Sequence, residues 1–123
     1  MTRERFAQQL HELSAATVLL GEQAAAAVAQ AIQAFTTYDP VLASRVVDED
    51  PNLNRMERQI LDDASVLLAL QAPVARDLRR ILGVSRVASD FERIGDHARD
   101  IARAALRLAA ASGGLATYFI QLR

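Results

Sequence analysis

At 123 residues the chain has the length of one ordinary domain. With 51% hydrophobic and 24% charged residues it has a globular composition, and a chain of this size buries roughly two-thirds of its unfolded surface. The absence of Cys excludes disulfides, thiolate metal sites and cysteine nucleophiles, and 14 basic against 15 acidic residues give a net charge of −1. That near-neutral balance lacks the basic excess that drives non-specific nucleic-acid binding, although every basic residue is Arg and none is Lys. No apolar run approaches the ~20 residues that a membrane span needs. The polar start Met1-Thr2-Arg3-Glu4-Arg5 has no apolar signal region, which is the expectation for a cytoplasmic protein.

Ala is the commonest residue by a wide margin; Ala, Leu, Arg, Gln and Glu are all strong helix formers, and no stretch alternates long enough to make a strand. The sequence predicts an all-α protein. A first helix runs from about Glu4 to Tyr38, with Gly21 its weak point. Asp39-Pro40 pairs an N-cap acceptor with the residue favoured at the first helical position, so a second helix starts there. Pro51 removes one N–H donor inside that helix. Either the helix kinks there or Asp50 caps a restart; the apolar spacing Leu53, Met56, Ile60, Ala64, Leu67 favours a kink.

Ala72-Pro73 opens a third helix, with Asp77 near its positive end, and Ser112-Gly113-Gly114 stops it around Ala110. Short connections then dictate an up-down-up three-helix bundle of long antiparallel helices, each about 45–55 Å in length. The domain covers residues 1–112, followed by an apolar C-terminal tail, 113–123. Tyr118, Phe119 and Ile120 in that tail need cover from the bundle or another subunit.

On helix three, Val84, Val87, Phe91, Ile94, Ala98, Ile101, Ala105 and Leu108 recur at spacings of three and four, a core seam of the coiled-coil type. A second seam runs beside it through Val74, Leu78, Ile81, Ser85, Ala88, Glu92 and Gly95. Glu92 therefore falls at a half-buried position, with Asp96 and Asp100 on the same ridge. Gly95 leaves room there for a partner helix or an ion. Asp50, Asn54 and Glu57 form a similar oxygen-bearing face on helix two.

Carboxylates at a seam edge need compensation. Arg93, Arg99 or Arg103 can supply it along the helix, or a multivalent cation can bind several oxygens at once. Spacing alone favours the salt-bridged face. Asp48-Glu49 and Asp62-Asp63 read as solvated surface, and His11 and His97 as surface or boundary residues. No Glu has His three residues on, as a ferritin-like di-iron site requires, and no phosphate-binding loop or nucleophile elbow occurs. The chain does not read as an enzyme.

The stretch Asp90-Phe91-Glu92-Arg93-Ile94-Gly95-Asp96, followed by Ala98, Asp100 and Ile101, resembles the PhoU family of phosphate-transport regulators. Upstream, Pro73-Val74-Ala75-Arg76-Asp77-Leu78-Arg79 is similar to the family's Pro-Val-Ala-x-Asp-Leu-Arg, and Asp50, Asn54 and Glu57 to its Asp-x-x-Val-Asn-x-x-Glu. Ala72, where the family has Gln, and Pro51 depart from the pattern. Typical members contain two three-helix repeats; this chain has room for one.

The resemblance implies a metal-binding acidic motif carried by Glu92 and Asp96, with Asp50, Asn54, Glu57 and Asp100 in companion positions. Oxygen ligands of that kind suit iron, Mg, Mn or Ca. It also implies a cytoplasmic regulator working with the phosphate ABC transporter's ATPase subunit and the phosphate sensor histidine kinase. A metal-storing or metal-dependent helical-bundle enzyme, or a purely structural helical adaptor, is the alternative. A lone repeat exposes the surface that a second repeat would cover, so a homodimer is expected.

Overall fold

Thr2 opens the first helix: its hydroxyl accepts the Arg5 N–H at 3.1 Å, and α1 runs Arg3–Thr37. The helix ends in a left-handed residue, Tyr38 (φ 55°), and the Asp39 N–H reaches back to the Ala34 carbonyl at 3.0 Å. Asp39 then caps α2, Pro40–Gln71, by accepting the Val41 and Leu42 N–H groups on Oδ1, each at 3.1 Å. One residue thus finishes one helix and starts the next, which makes α1 and α2 antiparallel neighbours. The third helix, α3, spans Ala75–Leu122. The computed structural model describes the backbone of residues 2–71 and 75–122, and side chains from 2–69 and 75–112. Pro73 and Val74 lie outside the described residues, as do the side chains of Tyr118, Phe119 and Ile120.

Each helix packs on the other two, giving the expected all-α three-helix bundle, and no strand occurs among the described residues. The core follows three seams with unbroken alternation of three and four residues. On α1 it is Phe6, Leu10, Leu13, Thr17, Leu20, Ala24, Ala27, Ala31 and Ala34; on α2 it is Ala43, Val46, Asp50, Leu53, Glu57, Ile60, Ala64 and Leu67. On α3 it is Ile81, Val84, Ala88, Phe91, Gly95, Ala98, Ala102 and Ala105. Two carboxylates, Asp50 and Glu57, therefore stand in positions that the pattern reserves for apolar side chains.

Two sequence expectations need correction. The α3 seam lies one residue round from the stripe through Val87 and Ile94, which are 41% and 40% exposed. Small residues hold the buried positions instead because neighbouring side chains fill them. A Cβ at Gly95 would lie 2.6 Å from Leu53 Cδ1, and one at Gly21 would lie 2.6 Å from the Phe91 ring. At Pro51 α2 runs on as one helix, the continuation that the apolar spacing favoured over a restart capped by Asp50.

The second correction is that α3 does not stop near Ala110; it continues to Leu122. Gly costs a helix only about 1 kcal/mol each, and no Pro follows to end it. By length and composition alone α1 is long and apolar enough to cross a membrane, a test that the core helix of a bundle also passes. Much of that apolar character is Ala, and the same helix buries Leu20, Ala24, Ala31 and Ala34 completely in the bundle.

Candidate functional site

Midway along the bundle, Asp50 enters the interior from α2 with its side chain only 7% exposed. The seam puts it between Val46 and Leu53, both buried. An isolated carboxylate there would be costly. Arg99 of α3 supplies the compensation: its Nη1 donates to Asp50 Oδ2 at 3.1 Å and to Asp96 Oδ1 at 3.3 Å. Its Nη2 donates to Asp100 Oδ1 at 3.5 Å, so one guanidinium joins three carboxylates on two helices. Burial works against the Arg99 charge, but the hydrogen bond and charge of Asp50, with Asp96 and Asp100 behind them, hold it protonated above its ordinary range.

Glu92, one turn before Asp96, is half-buried on the same ridge. Its pKa is pushed up from 4.5 to about 7, first by burial, then by sharing a hydrogen bond with Asp96 and by the negative charges of Asp96, Glu57 and Asp50. The site thus carries more negative charge than Arg99 neutralises. Asp50 Oδ1 and Arg99 Nε are buried and find no hydrogen-bond partner among the described residues.

Of the six residues singled out in the sequence, Asp50, Asp96 and Asp100 meet at Arg99, Glu92 lies within range of the charges of Asp96 and Asp50, and Glu57 within range of Glu92. Asn54 is half-buried one turn after Asp50, and no hydrogen bond ties it to the cluster among the described residues. No group of three or more His, Asp or Glu side chains stands ready-made around one ion position among the described residues. Arg93 spends its charge on Asp90, 3.6 Å away in solvent, and Arg103 is exposed. Arg99, seven residues after Glu92 and three after Asp96, shares their ridge with Arg103, and it is the contact with Asp50 of α2 that distinguishes Arg99. Gly95 gives its space to Leu53 of the partner helix.

Beside Asp50, between α1 and α2 and reaching Gly95 of α3, lies a cleft of about 360 Å³. Gln23, Gln30, Arg45 and Glu49 line it together with Val46, Leu53 and Gly95, and Asp50 borders it. His11 and His97 are exposed, as are Asp48-Glu49 and Asp62-Asp63, in agreement with their reading as surface.

Residues 17–105 match the family model described as PhoU domain, a stretch that contains the whole acidic cluster. A phosphate-specific transport system accessory protein PhoU homolog from Clostridium acetobutylicum is 35% identical over 109 residues, 88% of this chain and 50% of that protein. One from Rhizobium meliloti is 36% identical over 104 residues, 85% of this chain and 44% of that protein. The crystal structure of PhoU from Pseudomonas aeruginosa superposes with a TM-score of 0.84 at 34% identity, over 86% of this chain and 51% of that one. The phosphate transport system regulatory protein PhoU from Streptococcus pneumoniae gives 0.78 at 33% identity, over 82% and 48%. The chain spans about half the length of the relatives it matches.

Proposed function

Because the chain belongs to the PhoU family, we propose that it regulates phosphate uptake and phosphate-starvation signalling by binding proteins of that system. The observation that carries this reading is the likeness of both sequence and fold across most of the chain, by relatives named as accessory and regulatory proteins, not as enzymes. Its partners on this reading are the ATPase subunit of a phosphate ABC transporter and the sensor histidine kinase, which places it in the cytoplasm. Calorimetric titration of the chain against each purified partner tests it. Binding to one or both is expected, and no measurable binding to either overturns the proposal.

A multivalent cation at the acidic ridge belongs to the same reading. Two features of the cluster support it: every donor is an oxygen, suited to Mg, Mn, Ca or iron, and the buried Asp50 Oδ1 has no partner. Glu92 and Asp96, with Asp50, Asn54, Glu57 and Asp100 around them, would hold the ion, and it would neutralise charge rather than run a reaction. Replacing Glu92 and Asp96 by Ala should abolish metal uptake with helicity intact; equal metal content in both proteins refutes the site.

Self-association completes the proposal. Val18 lies one turn before Gly21, and Val87 and Ile94 one turn either side of Phe91, so an apolar strip follows the α1–α3 contact. Ile32 and Phe35 extend exposed apolar surface along α1. In a two-fold dimer a second copy would cover it without open-ended growth. Light scattering at micromolar concentration decides: a stable mass near the 13.4 kDa of one chain rules the dimer out.

A further inference from the structure

Arg99 is a cation already resident among the carboxylates, and the way it is held has a consequence for any ion that arrives. Its Nη1 is shared between Asp50 and Asp96, its Nη2 reaches Asp100 only at 3.5 Å, and its Nε is buried without a partner among the described residues. None of these pairs is the two-bond fork that makes Arg–carboxylate contacts strong. The side chain is 26% exposed, so the guanidinium has a route to water along its flexible stem. Asp50, by contrast, is buried, and one of its two oxygens is unsatisfied while the other is committed to Arg99.

We infer that Arg99 is a tethered competitor for the cation, filling the positive position between Asp50 on α2 and Asp96 on α3 until a multivalent ion displaces it toward solvent. The inference rests on the cation reading above and deepens it. Two positive groups cannot share one carboxylate pair without repulsion, so ion entry and Arg99 withdrawal are one exchange. The chain then binds a divalent ion only above a concentration that Arg99 sets. The exchange also moves a positive charge from the interior of the α2–α3 contact to its surface.

Magnesium is the probe, titrated into the full chain as wild type, Arg99→Gln and the Glu92→Ala/Asp96→Ala double variant, with calorimetry as the readout. Arg99→Gln should bind Mg2+ at least tenfold more tightly than wild type, and the double variant should not bind. In the wild-type chain the 15N resonance of Arg99 Nε–H should shift in step with Mg2+ occupancy, a readout that needs no variant to fold. If wild type binds and the double variant does not, yet Arg99→Gln binds no tighter while remaining helical, the competitor role is wrong and the cation site stands. An Arg99 resonance unmoved at Mg2+ saturation overturns the role equally. If neither wild type nor Arg99→Gln takes up Mg2+, the cation reading fails and the inference falls with it.

Discussion

Toward the Arg3 end of α1 the core is filled by Phe6, Leu10, Leu13 and Leu20, met by Ile60 and Leu67 from α2 and Ile81 from α3. Toward the Thr37 end the same three seams carry Ala31, Ala34, Ala43, Ala98, Ala102 and Ala105, with Val46 the one larger buried side chain. The heptad spacing is identical; the physics is not. Large side chains stabilise mainly by area, roughly 1.5–3 kcal/mol for each one fully buried. Alanines remove less area apiece and instead allow closer helix approach, since axis separation follows the side chains at the contact. Asp50 sits where one regime gives way to the other, between Val46 and Leu53. A polar group is introduced where neither kind of packing is interrupted in mid-run.

If the two ends differ in this way, opposite substitutions should injure them. Leu20→Ala, at a position with 0% exposure, empties space that the bundle cannot refill and should lose about 2–5 kcal/mol in urea unfolding. A loss under 1 kcal/mol would mean that the large-residue end is loosely packed. At the other end Ala98→Leu should be the damaging change, costing about 1–3 kcal/mol by overpacking. Ala98→Leu with unchanged stability would show that the alanine seam has room to spare.

The boundary region responds to pH. Glu92 titrates near 4.5 unfolded and about 7 folded, so between those values the folded chain holds the proton more tightly. Stability from this group therefore falls as pH rises from 4.5 to 7, and the penalty is complete above 7. Glu92→Gln should be more stable than wild type at pH 8 by about 1–2 kcal/mol, after discounting for solvent screening, with no difference below pH 4.5. Identical thermal unfolding curves at both pH values would contradict the burial and charge repulsion assigned to Glu92. The smallest effect belongs to Gly83, where an added Cβ meets nothing within 4 Å. Gly83→Ala should raise stability by about 0.5–1 kcal/mol through helix propensity alone; a decrease would argue that this exposed face is covered by something.

How the sequence could be read follows from the same contrast. The helix count and the α1–α2 corner were legible because Asp39-Pro40 supplies a cap and a first helical residue with one available geometry. The face of α3 was harder. Ranking residues by size selects Val87 and Ile94, whereas burial falls on Ala88, Gly95 and Ala102, whose partners supply the bulk. The end of α3 was misread because two glycines weaken a helix without forbidding it.

At the site, shared ridges correctly placed Glu92, Asp96 and Asp100 together, and Asp50 with Glu57. What linear spacing could not decide was which of Arg93, Arg99 and Arg103 turns inward. That depends on a carboxylate 49 residues away, Asp50, which only the packing of α2 on α3 brings within 3.1 Å of Arg99.

The two glycine contacts carry a further consequence. A seam of repeated alanines is nearly the same after every seven residues, so by itself it would let one helix slide along another by a heptad with little change in contact. Phe91 seated at Gly21 and Leu53 seated at Gly95 remove that ambiguity, because each large side chain has one matching vacancy on the facing helix. The first pins α3 to α1 and the second pins α3 to α2. A slip of one heptad would drive the Phe91 ring against Ser14 or Val28, neither of which offers a bare backbone. Four residues thus act as the index marks of the bundle, fixing axial alignment so that Asp50 and Arg99 arrive opposite one another.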